Sequence, residues 1–137
     1  MEVNFKDLLN NKAEFVHKPN LVFEYRNMEG VSFYSLDSDL IYWTGKEQIV
    51  VKALEHSEIF ITNLASVPEW LHWLIRPDNK YLKYPSVLHD YIYDNKSLAK
   101  RVYADWIFLQ ALKAEGCPFF LRWSAFLAVR RFGGKFR

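Results

Sequence analysis

The chain has 137 residues, half of them hydrophobic and 18% aromatic, which suffices to bury the core of one domain. Its single cysteine, Cys117, excludes an internal disulfide and a cysteine-based zinc finger. The formal net charge is only +2, yet residues 1–95 carry nine Lys/Arg against fourteen acids and residues 96–137 carry nine against two. Residues 1–95 are therefore net −5 and the remainder net +7. Met1 to Asp7 is mixed and charged, unlike a signal peptide, and the longest apolar run, Cys117 to Val129, is broken by Arg122 and too short to span a bilayer. The expectation is a soluble protein made in a cytoplasm.

In chain order, residues 1–62 read as a β-rich half. Leu21–Tyr25 and Val31–Ser35 flank Asn27–Gly30, the pattern of a hairpin with a longer loop. Leu40–Trp43 and Gln48–Lys52 flank Thr44-Gly45, a second hairpin, and Glu58–Thr62 supplies a further strand. From residue 63 to 134 the apolar period is helical. Pro68 and Pro85 each stand where a helix can start, and the Pro85 helix runs to Tyr93. Ser97 can cap the next helix, which Gly116 and Pro118 stop; another runs from Pro118 to Arg131, before a basic C-terminal tail. The fold class is α+β: a small antiparallel sheet over residues ~20–62 and three or four helices packed on it, in a single domain, 1–137.

Leu98, Val102, Asp105, Leu109 and Leu112 recur at i, i+4, i+7, i+11 and i+14, one stripe of a helix. Asp105 is thus an acid on a core-facing stripe, and a buried carboxylate must find donors or take a proton. His89 and Tyr93, four apart on the preceding helix, share a face and can supply donors. A histidine held by a buried aspartate has a fixed tautomer and a second nitrogen able to act as a general base. The alternative is a polar knot of His89, Tyr93 and Asp105 that stitches two helices together. Asp90 points about 100° away round the helix, where it is either a cation ligand or a surface acid.

The run Leu88–Asp94 followed by Tyr103–Leu109 resembles the H-D-x-x-Y … A-D-x-x-F pattern of phospholipase A2 domains, especially those of parvovirus capsids and small bacterial enzymes. The resemblance implies His89 as the base that activates water, Asp105 and Tyr93 as its orienters, and Asp90 as a calcium ligand. No glycine-rich calcium loop precedes His89, since residues 31–88 contain only Gly45, so no cofactor is expected and calcium is disfavoured. Phe60–Pro68, Leu88–Tyr93, Ala104-Asp105 and Ala128–Gly133 also resemble an uncharacterised domain family of tailed bacteriophages and prophages. Its pattern is F-x-T-D-x-A-S-x-P … H-D-x-L-Y … A-D-x-x-F … A-V-R-x-F-G, and Asn63 stands where that pattern has aspartate. This resemblance implies a phage protein of the host cytoplasm or the virion.

Asn63 and Ser66 either lie beside His89 to bind substrate or a cation, or serve the turn before the Pro68 helix, with Ser66 as its cap. No G-x-S-x-G elbow surrounds Ser66. Trp70 and Trp73 belong to an amphipathic core helix, to a lipid-facing patch or to a docking surface for other phage structural proteins. An HD-type metal phosphohydrolase, with His72 as a further ligand, lacks an aspartate after Asp105. The basic tail is either a solvated helix face or a contact for phosphate or anionic lipid, and no specific nucleic-acid recognition is expected. Two functions remain: a phospholipase A2-like ester hydrolase built on the His89–Asp105 dyad, or a non-catalytic virion or tail-associated protein.

Overall fold

The computed structural model describes residues 9–28, 32–55, 58–59, 61–62, 81–94 and 101–132. Eight strands occur among them: β1 (Glu14–His17), β2 (Leu21–Arg26), β3 (Ser32–Leu36), β4 (Leu40–Trp43), β5 (Gln48–Val51), β6 (Leu54–Glu55), β7 (Glu58–Ile59) and β8 (Ile61–Thr62). Three helices follow: α1 (Lys83–Asp94), α2 (Arg101–Ala114) and α3 (Phe119–Phe132). The α+β class holds, with all strand pairs antiparallel.

One sheet from residue 20 onward was expected, and the structure divides the strands differently. They form three small sheets, ordered β1-β4-β5, β2-β3-β8 and β6-β7, and the first begins at Glu14. Both expected hairpins are present as β2–β3 and β4–β5. What adds β1 is aromatic burial: Phe15 stacks on Tyr42 of β4, with centroids 4.7 Å apart. Gly45 turns the β4–β5 hairpin at φ +98°, a conformation that costs an L side chain. Thr44 closes the same turn, its N–H donating to the Glu47 carbonyl and its Oγ1 accepting from the Glu47 N–H.

The helix ends follow from backbone bookkeeping. α1 starts at Lys83, two residues before the expected Pro85. The Ser86 N–H makes the first intrahelical bond, to the Leu82 carbonyl, so Pro85 occupies a first-turn position whose N–H would have no helical acceptor. α2 ends in a Schellman motif. The Cys117 N–H donates to the Leu112 carbonyl, the Gly116 N–H donates to the Lys113 carbonyl, and Gly116 takes φ +81°. α3 begins at Phe119, with the Pro118 carbonyl accepting from the Arg122 N–H. The expected Pro68 helix and the Ser97 cap lie outside the described residues.

α2 lies between two apolar clusters. Its Ala104, Ile107 and Ala111 join Leu36, Leu40, Tyr42 and Val51 of the strands and Val87, Leu88, Ile92 and Tyr93 of α1. Its Phe108 and Leu112 join Leu82, Cys117 and the Ala125, Ala128 and Val129 face of α3. Burial pushes the Cys117 thiol up to about 11, so this sulfur is inert packing. Sheet and helices are also joined by polar links. The Tyr42 hydroxyl, held protonated by its burial, donates to Gln110 Oε1 at 2.7 Å, and Gln110 Nε2 donates to the Thr44 carbonyl. Among the described residues, no helix is long and apolar enough to cross a membrane.

Candidate active site

His89 and Tyr93 stand one turn apart on α1, their rings 4.1 Å between centroids, and Phe108 of α2 closes against the imidazole at 5.2 Å. Asp105 on the facing side of α2 is fully buried, and His89 is only 4% exposed. The apolar stripe dictates that burial, and the donors around the carboxylate make it tolerable. Nε2 of His89 lies 2.7 Å from Asp105 Oδ1, and the Tyr93 hydroxyl donates to the same oxygen at 2.7 Å. The other oxygen, Oδ2, accepts from Arg130 Nη1 at 2.8 Å.

Arg130 is the member that sequence reasoning counted only among the cations of the basic C-terminal end, as part of a solvated helix face or a contact for phosphate or anionic lipid. It belongs to the last turn of α3 and is turned toward Asp105, with its side chain 35% exposed. A signal for this exists in the sequence. Arg130 is the arginine of the A-V-R-x-F-G block and follows the aromatic Phe126 by one helical turn.

Burial alone would raise the Asp105 carboxyl. Hydrogen bonds from His89 and Tyr93, the His89 charge and the Arg130 hydrogen bond outweigh it and hold the group below its ordinary value. The carboxylate is therefore ionised and acceptor-only, so Nε2 of His89 must carry a proton. In the neutral imidazole the lone pair then sits on Nδ1, which has no hydrogen-bond partner among the described residues. Orientation, tautomer and charge compensation are thus all supplied by helix-borne side chains.

Asp90, next to His89, is partly exposed. Among the described residues no group of three or more His, Cys, Asp or Glu side chains could hold a metal ion. Calcium needs six to eight oxygen ligands, and Asp90 brings one carboxylate. Asn63, Ser66, Trp70 and Trp73, the expected substrate-binding residues, lie outside the described residues. Trp106 packs at 4.7 Å on Phe126 and edge-on to Trp123.

A family model described as Protein of unknown function (DUF1353) matches residues 34–129. The chain belongs to the DUF1353 family. The DUF1353 match takes in both β4–β5 and the helices that carry His89, Tyr93 and Asp105, and ends one residue before Arg130. It reaches farther toward the N-terminus than the motif resemblance, which runs from Phe60 to Gly133. No curated protein and no solved structure matches the chain.

Proposed function

We propose that this DUF1353 protein is a phage-type hydrolase in which His89 is the general base and Asp105 and Tyr93 hold it in place. The observation that carries the proposal is the 2.7 Å contact of His89 Nε2 with a buried, ionised Asp105, which leaves Nδ1 as the basic atom. In the reaction, Nδ1 takes a proton from water, and the resulting hydroxide adds to an ester carbonyl. The imidazolium, balanced by Asp105, returns that proton to the leaving alkoxide as the ester bond breaks. The H-D-x-x-Y … A-D-x-x-F resemblance supports a phospholipid ester as the substrate. Calcium would add only a polarising charge near Asp90, and no step depends on it.

The test is fatty-acid release from phosphatidylglycerol vesicles by the full chain, measured with and without calcium. His89→Gln is expected to lower the rate by about 10²-fold or more while the fold is kept, and Asp105→Asn to lower it comparably. Activity that persists in His89→Gln would place the base elsewhere.

A second reading is favoured by Arg130. Its ion pair compensates the carboxylate whatever the charge on His89, and three helices meet on one fully buried group. Such a satisfied polar cluster also suits a non-catalytic virion or tail-associated protein. Wild-type protein that releases no fatty acid, with His89→Gln altering stability alone, would select this reading.

A further inference from the structure

The outer face of α3 carries apolar side chains, Phe120 and Leu127, that no ring contact ties to the core, beside Phe119, which touches Trp123. Phe119, Phe120 and Leu127 are 68%, 70% and 61% exposed, although the same helix buries Ala125, Phe126, Ala128 and Val129 on its other side. Phe120, Leu127 and the exposed Arg131 recur at i, i+7 and i+11, within about 40° of one another round the helix. Phe119 lies about 80–100° round the helix from Leu127 and Phe120, its ring 6.1 Å from that of Trp123 and 5.5 Å from the Arg122 guanidinium. Exposed aromatic and aliphatic side chains in one stripe on a short helix require an occupant.

The charge of the segment identifies that occupant. From Gly116 to Arg137 there is no acid, and there are five cations, Arg122, Arg130, Arg131, Lys135 and Arg137. Arg130 is directed inward to Asp105, whereas Arg131 is exposed beside the apolar stripe. We propose that this face of α3 is a docking surface for an anionic phospholipid bilayer. Phe119, Phe120 and Leu127 enter the boundary between headgroups and acyl chains, and arginine meets the phosphates above them. A second copy of the chain fits less well, since it would set this acid-free cationic segment against itself. A nucleic acid would engage the arginines but offers nothing for Leu127, which cannot stack on a base. The proposal rests on α3 and the charge of the segment around it, and vesicle binding is measured without turnover, so it stands or falls separately from the hydrolase reading.

The experiment is co-sedimentation of the full chain with vesicles of phosphatidylcholine and phosphatidylglycerol, and with phosphatidylcholine alone. Wild type is expected to favour the anionic vesicles and to leave them as salt rises. The double variant Phe120→Ser, Leu127→Ser should lower partitioning by about tenfold or more, with thermal unfolding as in wild type because both side chains are exposed. Arg131→Gln should lower binding to the anionic vesicles alone, by about fivefold. Unchanged binding by the double variant, or no wild-type binding to anionic vesicles, would overturn the proposal. So would a preference for an oligothymidylate over vesicles. A concentration-dependent dimer lost in the double variant, in place of vesicle binding, would reassign the face to a second copy.

Discussion

Arg130→Met tests whether three helices share one charge. Methionine keeps much of the length and the apolar stem but removes the donor to Asp105 Oδ2. Breaking a buried ion pair by deleting one partner costs about 3–5 kcal/mol when both are desolvated. Here Asp105 is fully buried, but the Arg130 side chain is 35% exposed, and His89 and Tyr93 still donate to Oδ1. Solvent screening and the surviving donors reduce the expected loss to about 2 kcal/mol. For 137 residues the unfolding entropy is about 0.3 kcal/mol/K, which converts that loss to a fall in Tm of about 7 °C. The assay is thermal and urea unfolding of a double-mutant cycle with Asp105→Asn, in which the arginine has no anion to neutralise. A shift below about 2 °C, or the same shift in the Asp105→Asn background, would refute the claim that Arg130 acts through Asp105.

Two further outcomes follow from the same structure. Asp105 is held below its ordinary 3.8, so the unfolded chain binds the proton more readily than the folded one. The stability it contributes is complete above about pH 4 and is lost as pH falls through its folded value. The stability difference between wild type and Asp105→Asn, followed by urea titration from pH 5 to pH 2, should shrink below about pH 4. Asp37 and Asp39, also lowered, are common to both proteins, so a difference that is flat down to pH 2 would remove Asp105 from the acid limb. Gly45→Ala should cost about 2–3 kcal/mol in urea unfolding, because φ is +98° and the new Cβ would stand 2.5 Å from Asn11 Cβ. A loss below about 0.5 kcal/mol would mean that the β4–β5 turn is not held as described.

The His89–Tyr93–Asp105 geometry was legible because helix periodicity is a local signal. A spacing of four puts His89 over Tyr93, and the Val102-to-Leu112 stripe carries Asp105 inward. The two hairpins were legible for a similar reason, since their turn residues are adjacent in sequence. The pairing of β1 with β4 was not, because nothing within Glu14–His17 specifies a partner about 25 residues away; Phe15 acquires its meaning only against Tyr42. Arg130 was missed for an electrostatic reason. Counting charge along the chain groups it with Arg131, whereas one residue of helical rotation sends Arg130 to a carboxylate and leaves Arg131 outside.

The Asp105 cluster joins residues that are close along the chain: its hydrogen bonds span 12, 16 and 25 positions. The links from the helices to the N-terminal half are far longer, 65 for Tyr84 to Pro19, 68 for Tyr42 to Gln110 and 104 for Lys113 to Leu9. Closing a longer loop costs more chain entropy, so the three helices can assemble about Asp105 before the strands dock on them. The two hairpins close over spans as short or shorter, so the docking of strands on helices is expected to come last. In stopped-flow refolding, Asp105→Asn should slow folding, whereas Tyr42→Phe should chiefly speed unfolding. The reverse pattern would mean that the strands form first. A chain synthesised from its N-terminus would therefore close its hairpins early and join them to the helices only after α3 had emerged with Arg130.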